Sequence, residues 1–228
     1  MYDSERIAHG YAHDRPQVHE AILQAVNPPH VDRALDVGSG AGRSTIALKP
    51  FAARVFGLEP SIAMARFHKE LTVVARAEHL PFRDGAFQLI TAAGALNYVD
   101  NGLFLPEAAR VLEPGGTLLI YDCSTGSRAL EDDSLAQWFT DYRERVPDDA
   151  DYDLDPRTLD FASAGMILES YEEFEVAIRM NLDTYQKYIL TETDVDIAPW
   201  CAETLPRVFD GDSLDVVFDT YAARATRS

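Results

Sequence analysis

Short apolar runs alternate with amphipathic stretches from residue 30 to residue 122 of the chain. Runs of β-branched or alternating apolar residues are typical of buried strands, and the stretches between them begin and end with helix signals. A regular alternation of strand and helix predicts a parallel sheet with right-handed crossovers. The predicted strands end near Asp36, Glu59, Glu78, Ala92 and Ile120.

The pattern differs on either side of this region. Before it, two short amphipathic helices are predicted, with a break at Arg15-Pro16. After Tyr121, we predict a helix, an acidic loop, two strand-like runs, two helical stretches and a last strand. In that order, these elements are predicted at residues 135–142, 147–156, 166–168, 174–178, 182–190, 195–209 and 215–218. Within the alternating region, a helix is predicted at 62–69 and the third strand at 72–78.

Length and composition restrict the class of protein. A chain of 228 residues is long enough for one sizeable α/β core, and its two cysteines cannot form a disulfide framework. No run approaches the ~20 apolar residues of a membrane span, and the charged N-terminus lacks the apolar segment of a signal peptide. We therefore expect a cytoplasmic protein without membrane attachment. The sequence does not indicate the oligomeric state.

The charge balance restricts the partners. The formal net charge is −18, with 38 acidic residues against 20 scattered basic ones. Nucleic acids and anionic membrane surfaces both require a basic stripe or patch on the protein. We therefore expect neither of these partners. A small-molecule substrate or a cationic partner remains.

The most specific local pattern is the glycine-rich turn Asp-Val-Gly-Ser-Gly-Ala-Gly at residues 36–42. It follows an apolar run and leads into a helix start at Arg43, which places free helix N–H groups beside a turn that a ligand can approach closely. A dinucleotide fingerprint requires Gly-x-Gly-x-x-Gly, but the third glycine here comes one residue too early, at Gly42. The carboxylate of Asp36 would repel a pyrophosphate and attract an ammonium group. S-adenosylmethionine fits this requirement, because it combines a nucleoside and a cationic amino-acid tail without a phosphate.

A second acid, Glu59, closes the next buried-strand pattern. It lies 23 residues after Asp36, close to the ~20 expected for an acid that accepts hydrogen bonds from a ribose. A carboxylate at this position would repel a 2′-phosphate, so the ribose is expected to be free. The alternative is a solvated acid at a strand end. Pro60 and Ser61 then supply the turn and the N-cap of the following helix.

Two further motifs complete a resemblance to a known family. They are Leu80-Pro81-Phe82 after the third predicted strand, and the Arg-Val-Leu-Glu-Pro-Gly-Gly run at residues 110–116. Together with the glycine-rich turn, they make residues 30–122 resemble the class I S-adenosylmethionine-dependent methyltransferases. The resemblance implies an α/β fold, a Rossmann-like three-layer sandwich with helices on both faces of a mostly parallel seven-stranded sheet whose last strand is antiparallel.

The resemblance also implies how the domain is organised along the chain. A single methyltransferase domain is expected over residues 1–228. Its helical cap is residues 1–29, and its cofactor-binding core is residues 30–122. Residues 123–228 would complete the sheet and carry an insertion on the substrate side.

The residues expected to bind the cofactor follow from the same resemblance. Glu78 would meet the adenine amino group, and the backbone of Ala77 a ring nitrogen. Small residues after the fourth strand would let the cofactor lie against the backbone. The full expected set is Tyr11, Arg15, Asp36, Gly38, Ser39, Gly40, Gly42, Glu59, Pro60, Ala77, Glu78, Ala93 and Asn97, and no metal is expected.

The N-terminal segment allows two interpretations. In many relatives, a tyrosine followed by arginine-proline closes over the methionine tail of the cofactor. Tyr11 would then lie near the sulfonium, where an aromatic face favours a cation, and Arg15 would pair with the cofactor carboxylate. The alternative is a helical cap on the edge of the sheet.

The expected reaction is methyl transfer to an unidentified acceptor, with S-adenosylhomocysteine as the product. Catalytic residues stay unknown, because His13, His19, Asn97 and Tyr98 are all candidates near the expected methyl group and none is distinguished. Cys123 is more simply a small half-buried thiol than a nucleophile. Two other classes remain open: a non-catalytic relative that binds the cofactor, and a nicotinamide-dependent oxidoreductase.

Overall fold

The computed structural model describes residues 5–146, 154–210 and 213–228. Within them, eight strands form one sheet. The strands are β1 (Val31–Val37), β2 (Ala52–Leu58), β3 (Leu71–Val73), β4 (Phe87–Ala93), β5 (Leu112–Cys123), β6 (Arg128–Ala129), β7 (Met166–Met180) and β8 (Leu214–Arg227). The helices are α1 (Glu5–His13), α2 (Val18–Val26), α3 (Arg43–Leu48), α4 (Ile62–Ala65), α5 (Asn101–Val111), α6 (Ser134–Arg145), α7 (Leu182–Ile189), α8 (Ala198–Thr204) and α9 (Pro206–Phe209).

Strands β1 to β5 pair in parallel in the order β3-β2-β1-β4-β5. Strand β8 runs antiparallel to β5 on one side and to β7 on the other. The two-residue β6 also pairs with β8, on the side opposite β7 and beyond the end of β5. Val216 of β8 therefore has Ala129 of β6 on one side and Ile178 of β7 on the other. The expected sheet with an antiparallel last strand is confirmed, with β6 as an added eighth strand.

Helices cover both faces of the sheet because successive strand residues point to opposite sides. Ala34 packs into a core shared with α2, α3 and α6 to α9, whereas the next residue, Leu35, packs into a core shared with α5. Leu119 and Ile120 of β5 divide between the two cores in the same way. The three-layer sandwich expected from the sequence is confirmed.

Two elements near the start of the sheet are shorter than expected. The helix predicted at residues 62–69 ends at Ala65, because a tight turn follows in which the His68 N–H donates to the Ala65 carbonyl at 3.1 Å. The strand predicted at 72–78 ends at Val73. Its one partner among the described strands is β2, which itself ends at Leu58, opposite Val73.

The second half of the chain differs more. The two strand-like runs at 166–168 and 174–178 are parts of one long strand, β7, which pairs with β8 throughout and shifts register between Leu168 and Ser170. The last strand, expected at 215–218, continues to Arg227 because it has partners on both sides. The helical stretch at 195–209 is divided into α8 and α9. Most of the predicted acidic loop, residues 147–153, lies outside the described residues.

Candidate active site

The glycine-rich turn connects β1 to α3 at the carboxyl edge of the parallel strands. Gly38, Gly40 and Gly42 all have positive φ, at 67°, 54° and 95°. A side chain on Gly38 would meet Ala95, since its Cβ would lie 2.4 Å from the Ala95 Cβ. A Cβ on Gly40 would meet no described atom within 4 Å. The turn therefore presents bare backbone to open space at Gly40, whereas Gly38 is required for packing.

Asp36 lies beneath this turn and is fully buried. Its Oδ2 accepts hydrogen bonds from the hydroxyls of Ser44 and Thr45, both at 2.6 Å, and its Oδ1 accepts one from Thr91 at 2.9 Å. Burial raises the pKa of Asp36, and the three hydroxyls oppose that rise. These contacts hold the start of α3 to β1 and β4. The contact with a cofactor ammonium expected from the sequence stays a prediction, and the burial of the carboxylate argues against it.

Glu59 connects the end of β2 to the glycine-rich turn. Its Oε2 accepts the Gly40 N–H at 2.8 Å, and its Oε1 accepts the Ser61 N–H at 2.8 Å. Only 7% of the residue is exposed, whereas the adjacent Pro60 is exposed. The carboxylate thus lies directly beside the open space over Gly40, where a ligand hydroxyl could reach it.

The segment after β3 is attached to helix α5. The Leu80 N–H donates to Glu107, and the Arg110 guanidinium donates to the carbonyls of Leu80 and Phe82 at 2.9 and 2.8 Å. Glu78 is 8% exposed and accepts the Asp100 N–H at 3.2 Å. The two sequence motifs at residues 80–82 and 110–116 are therefore one structural unit, which places buried Ala77 and Glu78 on the same edge as Glu59. Adenine contacts by these two residues stay a prediction.

Asp122, at the end of β5, is a candidate that sequence reasoning missed. Its Oδ1 accepts the Cys123 N–H at 2.8 Å, and its Oδ2 lies 3.5 Å from the amide nitrogen of Asn97. A Cβ on Gly94, just after Ala93, would lie 2.9 Å from the Asp122 carboxylate. Gly94 adjoins Ala95, which packs on Gly38. The carboxylate thus lies against Gly94, whose neighbour Ala95 packs on the glycine-rich turn.

The pKa of the Asp122 carboxyl is raised well above that of an ordinary aspartate. Burial is the main cause that raises the pKa of Asp122 from 3.8 to about 6; the Cys123 N–H and the Arg15 charge oppose this shift, and the Glu192 charge adds to it. A group with this pKa can accept a proton near neutral pH. No local pattern in the sequence separates Asp122 from other acids at strand ends.

Asp122→Asn is expected to stabilise the fold at pH 8. A carboxyl whose pKa is raised on folding binds protons more tightly in the folded state, so its charging destabilises the protein as the pH rises from about 4 to 6. The gain should be on the order of 1–3 kcal/mol at pH 8 and should vanish near pH 4. Urea melts at the two pH values measure it, and equal stability of both proteins at pH 8 would contradict the raised pKa.

The N-terminal helices are attached to the insertion between β7 and β8. The Arg15 guanidinium pairs with Glu192 at 2.7 Å and lies 3.8 Å above the centre of the Tyr11 ring. The backbone carbonyl of Arg15 accepts from Arg43, the first residue of α3. Cofactor contacts of Tyr11 and Arg15 stay a prediction, and a cofactor carboxylate would have to compete with Glu192 for the guanidinium.

The remaining candidates differ in accessibility. His13 and Tyr98 are exposed. The Nδ1 of His19 lies 3.4 Å from the Tyr121 hydroxyl, and burial, with the charges of Arg15 and Arg43, lowers the pKa of His19 to about 4. Burial raises the pKa of the Cys123 thiol, which is unfavourable for a thiolate nucleophile.

Two other features bear on the chemistry. In the described ranges, no group of three or more His, Cys, Asp or Glu side chains could hold a metal ion. Nor does any helix there have the length and apolar character needed to cross a membrane. Two shallow depressions, of about 510 Å³ beside His30 and about 390 Å³ beside Tyr171, do not include the glycine-rich turn.

Comparison with known proteins agrees with this geometry. A family model described as a methyltransferase domain matches residues 35–120. Demethylmenaquinone methyltransferase of Mycolicibacterium vanbaalenii is 36% identical over 114 residues, covering 48% of this chain and 50% of that protein. The match thus spans about half the length of this curated relative.

Solved structures extend the likeness to nearly the whole chain. A candidate type II methyltransferase from Anaeromyxobacter dehalogenans has a TM-score of 0.71 at 24% identity, covering 93% of this chain and 96% of that one. Geranyl diphosphate C-methyltransferase from Streptomyces coelicolor, in complex with Mg²⁺, geranyl diphosphate and S-adenosylhomocysteine, has a TM-score of 0.54 at 17% identity, covering 92% and 77%. Residues 35–120 thus match a methyltransferase-domain family model, and the described chain shares its fold with solved methyltransferase structures.

Proposed function

We propose that this protein transfers a methyl group from S-adenosylmethionine to a small molecule. The observation that carries the proposal is the bare backbone at Gly40, where a Cβ would meet nothing within 4 Å, directly beside the Glu59 carboxylate that accepts the Gly40 N–H at 2.8 Å. Such a place can accept a nucleoside with an amino-acid tail, and the Glu59 carboxylate would repel a pyrophosphate. A structural neighbour with S-adenosylhomocysteine bound supports the choice of cofactor.

The residues would divide the work of binding. The glycine-rich turn would hold the amino-acid tail, Glu59 would accept hydrogen bonds from the ribose, and the segment at Ala77 and Glu78 would flank the adenine. When bound, S-adenosylmethionine supplies an activated methyl group on a sulfonium. The protein then has mainly to orient the acceptor and exclude water.

Asp122 is our candidate for the proton acceptor. It lies at the ends of β4 and β5, beside Gly94 and within 3.5 Å of the Asn97 amide nitrogen. Its carboxylate would hold the proton that an O–H or N–H acceptor loses on methylation. Asn97 would orient the carboxylate, since its own Oδ1 is fixed by the Leu154 N–H at 3.1 Å.

The net charge of −18 supports a small molecule rather than a nucleic acid as the acceptor. The expected cytoplasmic location stays a prediction. The two rival classes make different predictions. A nicotinamide enzyme would bind NAD, and a non-catalytic relative would bind S-adenosylhomocysteine without turning over any acceptor.

S-adenosylhomocysteine is expected to raise the melting temperature, whereas NAD and ATP are not. A ligand that binds only the folded state at 100 times its dissociation constant stabilises the fold by about 2.7 kcal/mol. For a chain of this size, that is a rise of roughly 5–10 °C. Thermal melts with each ligand measure the effect, and a comparable rise with NAD would overturn the proposed function.

A further inference from the structure

His68 packs against the outer side of the glycine-rich turn, in the loop between α4 and β3. Its Nε2 lies 2.9 Å from the Ser39 hydroxyl. The ring fills space that two glycines from separate elements leave open. A Cβ on Gly57 of β2 would lie 2.7 Å from the His68 ring, and a Cβ on Gly42 would lie 3.2 Å from it.

These contacts give Ser39 and Gly42 a role that the sequence did not suggest. The Ser39 residue is 3% exposed, and its hydroxyl faces the imidazole. Gly42 leaves room for the same ring. Cofactor contacts of Ser39 and Gly42 stay predictions, but the contact of both residues with His68 is part of the structure.

Two side chains thus fix consecutive residues of the turn from different directions. His68 holds Ser39 through its hydroxyl, and Glu59 holds Gly40 through its N–H at 2.8 Å. A turn with three glycines at positive φ loses much conformational freedom when it is ordered. Side chains that order such a turn before the ligand arrives reduce the entropy that binding must overcome.

The segment that leads to His68 is itself anchored at two points in and beside α4. Ser61, the N-cap of α4, donates its N–H to Glu59. Met64 of α4 is 2% exposed and packs in one cluster with Ala41 of the turn. The imidazole is therefore held at a fixed place relative to the turn.

A purely space-filling role would not require a polar ring. The Nδ1 of His68 is buried and has no hydrogen-bond partner among the described residues. An apolar side chain would fill the same slot without burying that nitrogen. What a histidine adds here, and an apolar side chain would not, is the contact between Nε2 and the Ser39 hydroxyl.

We propose that His68 is a positioning residue that holds the glycine-rich turn in its cofactor-binding form through Ser39. This inference rests on the proposed function, because the property that it affects is affinity for the cofactor. His68 needs no contact with the cofactor itself. Its effect passes through the Ser39 hydroxyl and the backbone of the turn.

The test compares three variants of the full chain by calorimetric titration with S-adenosylhomocysteine, well below their unfolding temperatures. His68→Leu fills the slot without a hydrogen bond, and His68→Gln restores a polar atom near the position of Nε2. Ser39→Ala removes the partner and does not depend on how the slot repacks. Losing one hydrogen bond should weaken binding roughly three- to tenfold in His68→Leu and Ser39→Ala, and His68→Gln should regain most of the affinity.

The double variant completes the test. If the two residues act as one unit, Ser39→Ala in the His68→Leu background should cause no further loss of affinity. Wild-type affinity in both His68→Leu and Ser39→Ala would overturn the inference and leave the proposed function intact. Equal weakening by Leu and Gln would also overturn it, because it would show a structural role only. If the wild-type chain itself does not bind S-adenosylhomocysteine, the proposed function fails first.

Discussion

Replacing Glu59 by alanine is expected to weaken binding of S-adenosylhomocysteine on the order of ten- to a hundredfold, because hydrogen bonds to a charged group contribute roughly 1.5–3 kcal/mol. Two effects add in the same direction. The ribose hydroxyls would lose their acceptor, and the Gly40 N–H, now 2.8 Å from Oε2, would no longer be fixed. Calorimetric titration of the variant measures the loss, and an unchanged dissociation constant would show that Glu59 has no contact with the ligand.

Two comparisons separate affinity from folding. Glu59→Gln keeps one acceptor oxygen and should lose less affinity than Glu59→Ala. Glu131 is a control outside the expected cofactor-binding set, and both of its oxygens accept the Asp215 N–H at 3.0 Å. Glu131→Ala should lower stability without changing affinity. A similar loss of affinity in Glu131→Ala would mean that the effect of Glu59→Ala reports stability alone.

The core of the fold could be predicted from local patterns. The glycine-rich turn, Glu59 and the strand patterns are all short-range signals, and each corresponds to a strand end or turn in the structure. The sheet order beyond β5 could not be worked out from local patterns in the same way. Strand β7 contains acidic residues at 172 and 173 that interrupt its apolar pattern, yet it is continuous because β8 pairs with it along its whole length.

Likewise, only some residues of the candidate site could be predicted from local patterns in the sequence. Residues of the turn and Glu59 carry their signal in their spacing. Asp122, Glu192 and His68 lie in the site because strands and loops far apart in sequence meet there, and their neighbours in sequence give no indication of it. Asp36 carries an equally clear local signal, and in the structure its carboxylate accepts hydrogen bonds from Thr91 and from the first turn of α3. Its contact with a cofactor stays a prediction.

Gly40→Val is expected to abolish binding of S-adenosylhomocysteine. Position 40 has a φ of 54°, and a Cβ there would have no described atom within 4 Å, so the added side chain would enter the space proposed for the amino-acid tail. Calorimetric titration of the folded variant measures the loss. Binding at wild-type affinity would show that the turn is only a connection between β1 and α3.

Stability decides whether that loss comes from the ligand site. A non-glycine residue at positive φ costs roughly 1–2 kcal/mol, whereas truncating a buried leucine costs about 2–5 kcal/mol. Leu35 is fully buried and directly precedes Asp36 in β1, so Leu35→Ala is the matched control. Gly40→Val should unfold at a higher urea concentration than Leu35→Ala. Gly38→Ala should behave differently from Gly40→Val, because its Cβ would lie 2.4 Å from Ala95 and disturb the packing itself. If Gly40→Val unfolded more easily than Leu35→Ala, Gly40 would be required for folding, as Gly38 is. The loss of binding would then be no evidence for a ligand site above Gly40.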